Sequence, residues 1–278
     1  RITMKAKLLV LVLILALGAT PALAQDGGTH TATFDGFGIS WDAALADGVT
    51  AIAYEGEPVD LEAPGSPQPP HVELALFEQI PWDQVPIDEM GYPGSDRIHR
   101  GAVTVYRLAD VDAYEWSQQQ VDALQALLAE RPDLSTYLQV SDNLNDYALP
   151  FLPVYPAGQV IRARAQYVET GAVTGISYVT VYRQDVSPFL ASDFIYTFQG
   201  FSADGAHYVS MVFPITIEGF LADYPTDFDY DAFIERLDEY LAGSIAQINT
   251  APAESFNPRL DVFDTIIESF AVESAGAA

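Results

Sequence analysis

Asp227, Asp229 and Asp231 stand at the 1-3-5 spacing of a calcium loop, with Glu235 at position 9 and Asp238 at position 12. Carboxylate oxygens at that spacing can wrap a hard cation. Two positions depart from the pattern: Ala232 stands where the sharp turn wants Gly, and Asp238 where a longer bidentate Glu is usual. The simpler reading is that these acids cap a helix N-terminus and complement its dipole. The cofactor expectation is therefore none beyond weak calcium binding.

A second constellation is basic. Arg162 and Arg164 share one face of a strand by the period of two. If a turn at Gly171 pairs Ala163 with Thr180, Arg183 joins them on that face. Three guanidinium groups on so acidic a chain form a candidate anion site. The plainer reading is a solvated sheet face whose arginines pair with nearby carboxylates. A third set is aromatic: Tyr178, Tyr182, Tyr196, Phe198, Phe201, Tyr208 and Phe213. Exposed rings can bind sugars or apolar ligands, but strand alternation turns most of these inward, towards a core.

Other chemistries lack a signature. His30, His71, His99 and His207 show no metal-ligand spacing, and neither G-x-S-x-G nor G-x-G-x-x-G occurs. His99 near Asp96 and Ser95 supplies triad residue types, but a triad is a spatial arrangement and any long chain contains these residues. The 39 acids offer many carboxylate pairs for glycoside hydrolysis, and no motif selects one.

Composition narrows the field further. The chain carries 12 basic and 39 acidic residues, a formal charge of −27. Lys5 and Lys7 precede an apolar run, Leu8 to Leu17, followed by the small-residue site Ala22-Leu23-Ala24. This is the pattern of a secretory signal peptide, and the run is too short to span a bilayer. Cleavage after Ala24 leaves nine basic residues, all Arg, and a charge of −30. That surface repels nucleic acid and anionic lipid. The remaining chain has neither Lys nor Cys. Schiff-base chemistry, P-loop phosphate binding by Lys, thiol nucleophiles and disulfides are excluded. With 49% hydrophobic residues, the chain can hold itself by its core.

The elements that must position these residues follow from periodicity. Residues 29–41 read as a strand or hairpin, and 49–54, His71 to Gln79 and Gly101 to Leu108 as strands. The Pro-rich stretch 55–70 is an irregular loop. Ser117 to Glu130 reads as a helix, with a Ser117/Gln120 capping box, a Trp116–Val121 staple, and Val121, Leu124 and Leu128 on one face. Val160 to Glu169 alternates, with Ile161, Ala163, Ala165 and Tyr167 on one side, and Gly175 to Arg183 returns. Asp193 to Phe201 and His207 to Pro214 form a second hairpin, turned at Asp204-Gly205. Asp229 to Ile248 reads as one amphipathic helix with Phe233, Ile234, Leu237, Leu241 and Ile245 inward. A last helix opens at Asn257-Pro258 and carries Leu260, Phe263, Ile267 and Phe270. Antiparallel strands interrupted by a few helices mean an α+β fold, a meander packed by helices.

The segments LPFLPVYPAGQVIRARAQYV and FIYTFQGFSADGAHYVSMVFPI resemble a group of uncharacterised secreted bacterial proteins. The closing FDTIIESFAV and the element order resemble the PsbP/Mog1-like α+β fold. The resemblance implies one domain over 25–278 that binds or scaffolds. The functional expectation is an extracytoplasmic, non-enzymatic binding module for an envelope protein or small ligand, with no nucleic acid and no membrane span in the mature chain. The alternative is a carboxylate-dependent secreted hydrolase, for example on polysaccharide. Mass spectrometry of the exported protein should find Gln25, or its cyclised form, at the N-terminus. A full-length exported chain would contradict the signal reading.

Overall fold

Asp35-Gly36 supplies the positive φ angles, +49° and +84°, that a two-residue hairpin turn demands. It joins β1 (Thr29–Phe34) to β2 (Phe37–Asp42), so the first segment is a hairpin. In this computed structural model the described residues are 28–59, 67–88, 90, 93–140 and 146–273. The signal segment and residues 60–66 of the Pro-rich stretch lie outside them.

Three strands follow, β3 (Gly48–Tyr54), β4 (His71–Gln79) and β5 (Arg97–Arg107). The chain then makes a short helix α1 (Leu108–Val111) and the longer α2 (Glu115–Glu130). A Pro-rich strap, Leu149 to Pro156, leads into a meander of β6 (Gly158–Glu169), β7 (Val173–Arg183), β8 (Phe194–Ser202) and β9 (His207–Ile217). Next come α3 (Tyr230–Ile234), α4 (Leu237–Thr250), β10 (Phe256–Asn257), α5 (Val262–Ser269) and β11 (Ala271–Val272). The fold is α+β, with antiparallel sheets and, among the described residues, five α-helices.

The large sheet has the order β3-β4-β5-β9-β8-β7-β6, with β10 added to β9. Having left β5, the chain crosses to the far edge and returns strand by strand until β9 pairs with β5. One face of the sheet shares a core with β2, α4 and α5. Within it Phe263 stacks on Phe213 and Tyr196, with ring centroids 4.4 and 4.8 Å apart. β11 then pairs with β2 and closes a three-stranded sheet over that core. The opposite face packs against α2 and the strap through Tyr106, Val121, Leu124, Phe151, Tyr178 and Tyr208. The aromatic set is thus mostly core; Tyr178, Phe198, Tyr208 and Phe213 are wholly buried.

Local readings need four corrections. Helix α2 begins at Glu115, and Ser117 is buried within it rather than capping it. Gln120 is drawn instead to the strap, where its Oε1 accepts from the Phe151 N–H at 3.1 Å, and Trp116 is 55% exposed. The segment from Asp229 is two helices, broken at Arg236 (φ −120°, ψ 19°). Phe233 packs on Tyr240, 5.0 Å away, and Ile234 faces solvent; Leu241, Ile245 and Ile248 make the buried stripe. Asn257 does not cap a helix, because it pairs with Thr216 as the end of β10. The alternation in β6 switches sides at a bulge between Ala163 and Gln166, where Arg164 adopts φ +52°. Ile161 and Ala163 face the core on one side, and Ala165 and Tyr167 pack on the other.

The strap is fastened by side chains that reach up from the sheet. Gln159 Oε1 accepts from the Leu149 N–H at 2.7 Å, and its Nε2 donates to the Leu149 carbonyl at 3.4 Å. Gln199 does the same for Leu152, at 2.9 and 3.3 Å. Each amide completes one residue of strap backbone as a neighbouring strand would, and both glutamines are buried at 2% exposure or less. Tyr178 donates to the Pro150 carbonyl at 2.8 Å, Tyr208 to Gln199 Oε1 at 2.7 Å, and Ser210 to the Leu152 carbonyl. Replacing Gln199 with Leu orphans the Leu152 N–H and the Tyr208 hydroxyl, at about 1–3 kcal/mol for each buried group left unpaired. Urea unfolding should show that loss, whereas Gln119→Leu on the exposed side of α2 should stay within about 0.5 kcal/mol. An unchanged midpoint for Gln199→Leu would contradict the fastening.

Candidate functional site

Past the fastened part of the strap, Tyr155, Pro156 and Ala157 turn back over the end of β7. With Tyr182, Arg183, Gln184, Asp185, Asp193 and Ile195 they line a cleft of about 420 Å³, the size range of small-ligand sites. Its wall is built from the bottom of the strap upward. Phe151 is buried beneath it, and the rings of Phe151, Tyr155 and Tyr182 lie 5.0 to 5.4 Å apart as a cluster of three. Tyr182 is held from below by Gln159 Nε2 at 2.8 Å. Burial raises the pKa of both Tyr155 and Tyr182, so both hydroxyls stay neutral. The outer face of Tyr155 remains open, at 42% exposure. Gln184 Nε2 donates to the Pro156 carbonyl and ties the floor of the cleft to its rim.

Arg183 is the one arginine of the sequence set that reaches the cleft, and it arrives already engaged. Its Nη2 pairs with Asp193 and contacts the Tyr224 hydroxyl at 3.3 Å. Its Nη1 donates to the Ser187 carbonyl at 2.9 Å and to Ser187 Oγ. Asp193 also accepts from the Leu190 N–H at 2.6 Å. Asp185 accepts from Ser187 Oγ at 2.6 Å, a bond that holds its carboxyl below the usual carboxylate range. The cleft therefore carries one guanidinium and two carboxylates.

The other two arginines do not join Arg183. The register pairs Arg162 with Thr180 and Ala163 with Val179, one residue away from the pairing that would align the stripe. Arg162 is 2% exposed; its guanidinium donates to the carbonyls of Tyr137 at 2.9 Å, Gln159 at 2.5 Å and Gln139 at 2.6 Å. Burial lowers its pKa. Arg164, in the bulge, turns to the end of α4, where it donates to the carbonyls of Ile248 at 2.8 Å and of Ala251, and lies over the Phe256 ring. These donors serve carbonyls at a helix C-terminus, where cations are favourable.

The acidic constellation is also distributed. Asp229 is the N-cap of α3, and its Oδ1 accepts from the Ala232 N–H at 3.0 Å. Asp231 lies in the first turn of α3, and Asp238 in the first turn of α4. Glu235 is the C-cap of α3, and Asp227 precedes the helix. Among the described residues no group of three or more His, Asp or Glu is placed to hold a metal ion. Ser95 Oγ is spent on the backbone of Arg97, accepting from its N–H and donating to its carbonyl, each at 3.0 Å.

Sequence reasoning missed Tyr155, Asp185 and Asp193 as site residues. The prolines flanking Tyr155 marked an irregular segment but not what it lies against. No protein-family model, curated protein or solved structure matches the chain. No described helix is long and apolar enough to cross a membrane.

A melting series compares sodium chloride with calcium chloride at matched ionic strength. The two salts should stabilise the protein nearly equally, by screening the self-repulsion of a −27 chain. Asp229→Ala should lower stability by about 1 kcal/mol in both, the worth of a helix cap. A large calcium-specific rise that Asp229→Ala abolishes would make the stretch a metal site.

Proposed function

We propose that this protein is an extracytoplasmic binding module whose ligand contacts the cleft of Tyr155, Gln184 and Asp185. The observation that carries the reading is an open aromatic ring, fixed from behind by two others, facing ionised and amide groups across a small-ligand-sized cleft. Preorganisation of this kind lowers the entropy cost of binding. The Lys-flanked apolar segment and Ala22-Leu23-Ala24 site support export of the mature chain. The order of hairpin, helix, meander and closing helix supports the PsbP/Mog1-like reading, with β3–β5 and α3–α4 as additions to it.

The hydrolase reading needs a carboxylic acid held protonated beside an ionised partner. Asp185 in the cleft is shifted the opposite way. Among the described carboxyl groups the one pushed upward is Asp264, by burial and then by Glu268 and Asp261, on the outer side of α5 and outside the cleft lining. Saturation-transfer NMR of the mature protein against a library of soluble metabolites and oligosaccharides tests the two together. The expected result is binding without turnover, lost in Tyr155→Ala. Hydrolysis of a bound compound would overturn the non-enzymatic reading, and an absence of binding anywhere at the cleft would overturn the site.

A further inference from the structure

We infer that the cleft takes a nitrogen cation on an alkyl stem, an ammonium or guanidinium group, and not the anion that its arginine suggests. The inference rests on the binding reading above and names its ligand class.

The donor and acceptor inventory carries the argument. Both Nη groups of the cleft's arginine, and the cleft's side-chain amide nitrogen, are already engaged. Arg183 spends Nη1 on Ser187 and Nη2 on Asp193 and the Tyr224 hydroxyl, and Gln184 spends Nε2 on the Pro156 carbonyl. What the cleft retains is acceptor capacity. Asp185 accepts from Ser187 on Oδ2 and from its own backbone N–H, and Asp193 takes its partners on Oδ2, so each carboxylate keeps lone pairs to spare. Gln184 has its Oε1. A ligand that satisfies these groups must bring N–H donors, and an anion would meet two carboxylates and a guanidinium already paired through both Nη atoms.

Two further features agree. The exposed face of Tyr155 is a platform for a cation, held in place by Phe151 at 5.4 Å and Tyr182 at 5.1 Å. A cation seated over that ring lies beside the acceptors that share the cleft, with its alkyl stem leading out to solvent. The chain's net charge of −27 also draws cations to the surface and slows the approach of anions.

The same chemistry has two sources, a free small amine or the Arg or Lys side chain of a partner protein. The experiment titrates the whole mature chain at 0.15 M sodium chloride with agmatine, with the tripeptide Gly-Arg-Gly, with glucose and with citrate, read by amide NMR. Agmatine and the tripeptide should both shift Gln184 and Asp185, with citrate and glucose silent. If agmatine binds more tightly the natural ligand is a small amine, and if the tripeptide does, a partner side chain. Asp185→Asn and Tyr155→Leu should each weaken agmatine about threefold to tenfold. The Leu variant keeps the packing on Phe151 while removing the π face. Asp112→Asn, which removes the same charge from the exposed end of α1, should change affinity less than about twofold.

Equal weakening by Asp112→Asn and Asp185→Asn would mean diffuse attraction and overturn the inference. Glucose or citrate binding at the cleft with agmatine silent would overturn the ligand class while leaving the binding reading intact. If none of the four probes shifts a cleft residue, the inference fails; the library screen then decides the binding reading separately.

Discussion

The structure depends on how a Pro-rich strap is held against a sheet that has no strand to offer it. Buried backbone N–H and C=O groups cost free energy unless they are paired. At Leu149 and Leu152 the pairing comes from the side-chain amides of Gln159 and Gln199, which supply an acceptor and a donor in one plane. Gln199 is itself held by Thr197 and Ser210, so its amide has one orientation that satisfies every neighbour. That network fixes Phe151, Phe151 and Tyr182 support Tyr155, and Tyr155 forms the cleft wall. The cleft is thus a consequence of polar groups buried within a largely apolar face.

Arginine is scarce in this protein, and the fold consumes much of it. Arg162, Arg164 and Arg183 each bond backbone carbonyls: at the segment 137–139, at the end of α4, and at the turn after β7. Arg is suited to this work because its planar fork stays charged when partly desolvated. The acids remain mostly on the surface. This division explains why a cluster of basic residues in the sequence does not become a basic patch, and why the cleft is acidic on balance.

Much of the architecture was legible in the chain. Asp204-Gly205 marked the β8–β9 hairpin, and the stripe of Phe263, Ile267 and Phe270 marked the closing helix, because both signals are local. The failures lie where long-range packing overrides a local pattern. Alternation placed Arg162 and Arg164 on one face, but two bulges in β6 shift the register and turn them to different partners. Gln120 looked like half of a capping box, yet its side chain serves the strap 31 residues away. Nothing nearby in sequence announces the backbone that Gln159 and Gln199 satisfy. Of the site itself only Arg183 and the aromatic character of Tyr182 were readable. Tyr155 and Asp193 gain meaning once the strap is seated on the sheet.

The central claim is that the strap is part of the sheet's hydrogen-bonded core although it has no secondary structure. Native-state hydrogen exchange of the Leu149 and Leu152 amides tests this most directly, because each is bonded to a buried glutamine and to no strand. The account predicts that both amides exchange as slowly as those in the middle of β8, through global unfolding. Exchange at the rate of an exposed loop, with β8 still protected, would show that the strap opens on its own and that the cleft is not preformed.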